Sequence, residues 1–160
     1  TRTLGPTNPP SRPAIMTTKL AILQPMFALA AWTGGVLLLV AIRRVTASMM
    51  VKISPREYAL GESPKVPTSV ALANRNYMNL LELPVLFYVG CLASYATGST
   101  SELMLALAWV YVGLRAVHTV IHTTYNHVMH RFTAFAASNF TLLAMWVVLG
   151  TAVFGGASGA

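Results

Sequence analysis

Apolar residues fall into four long blocks, separated by short segments that hold most of the charges. The first block, Leu20 to Ile42, is uncharged, with Pro25 near its start and Arg43-Arg44 as its stop. The second runs from Val70 to Ala96; its first half is polar on one side and its second half is almost wholly apolar. The third runs from Leu103 to about Tyr125 and the fourth from Phe132 to Phe154. A transmembrane helix needs about 20 apolar residues, so each block predicts one span. The expected helices are 20–42, 70–96, 103–125 and 132–154. Gly98-Ser-Thr-Ser predicts a tight turn between the second and third, and Ser99 with Glu102 has capping-box spacing for the third. The fold class is therefore all-α, an integral membrane four-helix bundle.

Composition agrees. Hydrophobic residues make up 55% of the 160 and charged residues 9%, against roughly 25% charged in soluble domains. Eleven Lys and Arg stand against four acids, all Glu, for a net charge of +7. These basic residues flank apolar runs instead of forming an aromatic-interleaved surface, so a lipid bilayer and not nucleic acid is the expected partner. The 43–69 loop carries Arg43, Arg44, Lys52, Arg56 and Lys65, and the 97–102 turn carries no Lys or Arg. The 43–69 and 126–131 loops are thus expected on the cytosolic or matrix-like side, with both termini opposite.

Residues 1–19 form a basic, proline-rich tail, and 155–160 a Gly-rich one, in which Gly155 and Gly159 read as flexible tail and not as a helix-packing motif. The chain opens on Thr1. That fits the mature end of a processed precursor, or extra residues ahead of a start at Met16. Cys91 is alone inside an apolar run and reads as a buried, inert thiol.

The chemistry lies in polar residues inside the apolar blocks. An intramembrane charge costs roughly 2.5–3.5 kcal/mol on insertion scales, so each needs a reason. Arg75, Asn79 and Glu82 recur at i, i+4 and i+7, on one face of the second helix, with Asn76 beside them. Tyr111, Arg115, His118, His122 and Tyr125 form a stripe on the third. Arg131 closes the set near the start of the fourth, after His127 and His130. A structural reading pairs Arg75 or Arg115 with Glu82 to fix helix register. A second reading takes His118, His122, His127 and His130 as metal or haem ligands, a loose spacing to which no metal is assigned. A third follows from the charge surplus: Arg75, Arg115 and Arg131 face one acid, which invites an anionic ligand with carboxylates.

At these residues the chain resembles a known family. Arg75-x3-Asn79-x2-Glu82-x-Pro84 is similar to the second-helix signature of the MAPEG family, the membrane-associated proteins of eicosanoid and glutathione metabolism. Arg115-x2-His118-x3-His122 resembles the family's third-helix stripe, with His122 where the family carries Tyr. Arg131 falls where the family carries its catalytic Arg, and Phe132 replaces a small polar residue found after it in some members. The stretch Asn79 to Tyr88 resembles most the bacterial and organellar branch.

The resemblance covers about residues 20–150. It implies a homotrimer with glutathione as co-substrate in clefts between neighbours. Arg75, Asn79 and Arg115 would then hold the tripeptide's carboxylates and amides, and Glu82 would face its amino group. His118, His122 and Tyr125 would line the cleft, and Arg131 would stabilise the thiolate. A free thiol has a pKa of about 8.5, and a nearby Arg raises the thiolate population. The implied activity is a transferase or peroxidase acting on lipophilic electrophiles delivered by the bilayer. The alternative is a non-catalytic accessory subunit of a respiratory or photosynthetic assembly, to which the basic tail and missing Met point. A transporter is a more distant reading, since no internal repeat is visible. The expected location is an organellar (mitochondrial inner) or bacterial inner membrane, ahead of the endoplasmic reticulum.

Overall fold

A computed structural model of the chain describes residues 19–58 and 63–155. The tail expected over 1–19, apart from Lys19, and the Gly-rich tail beyond Gly155 lie outside these described residues. Among the described residues five α-helices follow in order: α1 (Leu23–Met50), α2 (Thr68–Leu81), α3 (Pro84–Thr97), α4 (Glu102–Thr123) and α5 (Val128–Gly155). A short 3-10 turn, Pro55–Tyr58, lies between α1 and α2. Among the described residues there is no strand. Four of the described stretches are long and apolar enough to cross a membrane: Lys19–Met50, Thr68–Thr97, Glu102–Thr123 and Val128–Gly155. The expected all-α, four-span bundle is what the chain forms.

Three details differ from the expectation. Arg43-Arg44 does not end the first helix, which runs on to Met50. The two guanidiniums find partners against the bundle, so the helix need not stop to put them in water. Arg43 donates from Nη1 to the Ser69 carbonyl at 2.6 Å and from Nη2 to the Thr123 carbonyl at 3.2 Å. Arg44 donates to Asn74 Oδ1 at 3.1 Å and sits 5.1 Å over the Tyr58 ring. Second, the cap of α4 is Ser101 and not Ser99; its hydroxyl accepts from the Met104 amide at 3.1 Å.

Third, the second span is broken. Pro84 lacks an N–H and opens α3 at its first turn. Glu82 leaves the helical path at φ −85°, ψ −101°. The chain bridges the break with tight bonds from Val85 N to Glu82 O (3.1 Å) and Leu86 N to Leu83 O (2.9 Å). The far end of this span closes on Gly98, which adopts φ 70°. A side chain there would crowd the following carbonyl, and Gly has none. The Gly98 and Ser99 amides then cap the freed Tyr95 and Ser94 carbonyls at 3.3 and 3.1 Å.

The most extensive helix pairing is α4 against α5, followed by α1 against α2. Toward the Gly98 turn the interior is apolar. Leu29, Phe87, Cys91, Met104, Ala108, Tyr111 and Met145 are all buried there, and Phe87 stacks on Tyr111 at 4.7 Å. Large apolar side chains such as Phe27, Leu38, Val110 and Phe140 point outward, as lipid contact requires. Toward the opposite end, where α1, α2 and α4 meet at Arg43, the interior turns polar: Asn76, Arg115, His118, Thr119 and His122 are buried.

Candidate functional site

The break in the second span sets up the site. In an unbroken helix the Asn79 carbonyl would accept from the residue four later. The break frees it, and an unpaired carbonyl at membrane depth costs several kcal/mol. Arg115 of α4 fills the gap, donating from Nη2 to Asn79 O at 2.6 Å. Arg115 is fully buried, with its guanidinium 5.9 Å over the Phe135 ring. The kink leaves Glu82 exposed at the middle of the Thr68–Thr97 span. A carboxylate there needs a cavity, a ligand or a neighbouring protein around it.

Glu82 opens onto a cavity of about 480 Å³, within the range of small-molecule sites. Arg75, Met78 and Asn79 line it from α2, His118 and His122 from α4, and Arg131, Phe132 and Phe135 from α5. The two imidazoles stand edge to face, 5.5 Å apart, and His118 lies 5.8 Å from Phe135. Both ring nitrogens of His122 and Nδ1 of His118 are buried without a hydrogen-bond partner. Asn79 Nδ2 donates back to the Arg75 carbonyl at 3.1 Å. The wall thus carries two arginines against one glutamate, before counting the imidazoles.

Arg131 sits in the first turn of α5. A cation at a helix N-terminus faces the positive end of the dipole, so it gains nothing from its own helix and is available to an anion. Its direction is set by Asn126, whose Oδ1 accepts from Arg131 Nη1 at 2.8 Å. Asn126 itself occupies left-handed backbone at φ 46°, and its amide closes the end of α4 on the Ile121 carbonyl at 2.8 Å. Asn tolerates that conformation better than most residues. Asn126 and, on the cavity wall, Met78, Val128 and Phe135 are the site residues that sequence reasoning missed. An Asn in a tight interhelical turn, and an aromatic at i+4 from Arg131, were the available signals.

The structure brings Arg75, Asn79, Glu82, His118, His122 and Arg131 to one cavity. Arg115 and Tyr125 are not on its wall. Arg115 points into the bundle, where the broken helix takes it. Tyr125 lies beyond the end of α4, exposed, with its hydroxyl 3.3 Å from His130 Nδ1. The helical stripe stops at Thr123, so the periodicity no longer governs Tyr125. The Glu82 register pair does not form: among the described residues the ion pair present is Lys65–Glu57, at 3.0 Å. Nor do three of His, Cys, Asp and Glu converge as a metal centre among the described residues. His127 and His130 pair with each other, with ring centroids 4.3 Å apart.

The fold defines an integral membrane helical bundle, with a cavity between α2, α4 and α5 that two arginines and one glutamate line. The sequence model of the MAPEG family matches residues 22–151, and the chain belongs to that family. No curated protein and no solved structure matches the chain.

Proposed function

We propose that this protein is a glutathione-dependent transferase or peroxidase that acts on lipophilic electrophiles at the membrane, as a homotrimer. The observation that carries the reading is the charge pattern of the cavity: Arg75, Arg131 and Glu82 on one wall system, with Asn79 between the first and last. Glutathione offers two carboxylates, one ammonium and one thiol. Arg75 matches one carboxylate, Arg131 matches the developing thiolate, and Glu82 matches the ammonium. Arg75 and Asn79 lie one turn apart on α2 and suit the peptide's carboxylate and amide.

Arg131 is proposed as the catalytic residue. Its guanidinium stabilises the thiolate as the sulfur attacks an electrophile. The apolar lining from Met78, Phe132 and Phe135 suits the lipophilic partner. The exposure of Arg75 and Glu82 on a membrane-spanning segment supports a neighbouring copy over the mouth of the cavity. Arg115 has a different part in this reading: it holds the kink and does not touch the tripeptide.

Titration of the detergent-purified chain with glutathione in a calorimeter tests the proposal. Saturable binding that weakens in Arg75→Ala and Glu82→Gln, with both variants still folded, is the expected result. No binding at millimolar glutathione rejects it and leaves the accessory-subunit reading, which co-purification with a larger assembly then tests.

A further inference from the structure

A thiol that becomes a nucleophile must lose its proton, and the proton must go somewhere. Arg131 stabilises the resulting anion but has no lone pair to accept with, and neither has Arg75. Asn79 is not a base. Glu82 is engaged by the ammonium in the proposed arrangement. The groups on the cavity wall with an unclaimed acceptor are the two imidazoles, His118 and His122, and of these His122 has both ring nitrogens buried and unpartnered. A neutral imidazole carries one N–H and one lone-pair nitrogen, and both nitrogens of His122 are buried with nothing to bond. The residue is 3% exposed and lines the cavity with Arg131. A buried polar ring in that state is uncommon without a partner to come.

We propose that His122, backed edge-on by His118, accepts the thiol proton of bound glutathione. This rests on the glutathione reading above. The S–H bond breaks, the proton passes to the lone-pair nitrogen of His122, and the electron pair stays on sulfur beside Arg131. The sulfur then forms a C–S bond to the electrophile. The displaced electron pair moves to the leaving group or to the far atom of the acceptor, and the imidazolium returns its proton there. Arg75 and Glu82 from α2, Arg131 from α5 and Arg115 behind Phe135 are the charged groups around the ring. Among the described residues Glu82 is the one anion lining the cavity, and the neighbouring arginines favour passing the proton on promptly over holding it as imidazolium.

The experiment is glutathione binding to the full chain in detergent, by calorimetry in two buffers of different ionisation enthalpy, with the thiolate read from its ultraviolet absorbance. The wild type is expected to form thiolate while releasing almost no proton to the buffer. His122→Gln, and the His118→Gln/His122→Gln double variant, should either release about one proton per thiolate or lose thiolate about tenfold. S-methylglutathione has no thiol proton and should bind wild type and His122→Gln within about twofold, which a merely structural histidine would not arrange. A wild type that releases about one proton per thiolate overturns the proposal without touching the glutathione site. Failure of the wild type to bind either compound overturns the glutathione reading as well.

Discussion

The arginines on the four described spans, Arg43, Arg44, Arg75, Arg115 and Arg131, fall into two groups that the sequence makes look alike. Arg43, Arg44 and Arg115 each give a hydrogen bond to oxygen of their own chain: the Ser69 and Thr123 carbonyls, Asn74 Oδ1, and the Asn79 carbonyl. Arg75 lines a cavity, and among the described residues its side chain makes no hydrogen bond or ion pair. Arg131 lines the same cavity, held by one neutral amide. The difference teaches that a charge inside a span is not by itself a binding group. In the first group Arg43 and Arg115 bond backbone carbonyls that lipid cannot bond, and Arg44 ties α1 to the Asn74 side chain. The second remains for something that is not part of the chain.

That division can be broken by experiment. The largest effect is expected at Arg131→Ala, which should lower glutathione-dependent turnover by about 10²–10³-fold, the scale of losing one oxyanion-type donor, with the melting temperature in detergent unchanged. If this variant fails to assemble instead, Arg131 belongs with the structural group. Arg115→Met should do the reverse. It strands the Asn79 carbonyl at membrane depth and should cost about 2–3 kcal/mol of stability, read from thermal unfolding. Unaltered stability in that variant, with glutathione binding lost, would return Arg115 to the ligand.

Arg75→Ala is expected to weaken glutathione about tenfold, on the order of one charge-assisted hydrogen bond, and to leave stability within about 0.5 kcal/mol. Arg43→Ala should cost about 1 kcal/mol of stability and leave glutathione affinity alone; a change in affinity would show that the two groups communicate. The smallest effect concerns pH. Hydrogen bonds from Ser63 and then Lys65 hold the Glu57 carboxyl below its ordinary 4.5. The depressed value means that this contact is fully present above the ordinary value and is lost as pH falls through the lower one. Limited proteolysis of the 51–67 segment should therefore accelerate only in acid, and Glu57→Gln should abolish that pH dependence.

Much of the fold was legible. Block length and hydropathy predict the spans, and the turn at Gly98 follows from its residues. Six polar residues at helical spacing, from Arg75 to Arg131, do reach one cavity. Periodicity assigns a face, however, and not the neighbour that the face meets. Arg115 lies one turn from His118 on the same stripe, yet it meets the broken α2 while His118 meets the cavity. The break was the missing information. Pro84 was visible, but nothing in sequence says that Glu82 and Leu83 would leave the helix together with it. Tyr125 failed for a related reason, because a stripe holds only while the helix lasts.

The interrupted span also bears on how the chain enters its membrane. Helices α2 and α3 have 14 residues each, about 21 Å of helix apiece, whereas the hydrocarbon layer is about 30 Å thick. Neither half crosses alone, so the span inserts as one body. Its stranded carbonyl is then capped by a side chain 36 residues further along, which emerges from the ribosome only afterward. The polar end of the bundle is thus the last part to mature, and it waits on the arrival of α4. Chains truncated before α4 are expected to be recognised as incomplete by membrane quality control, although their first two spans are already in place.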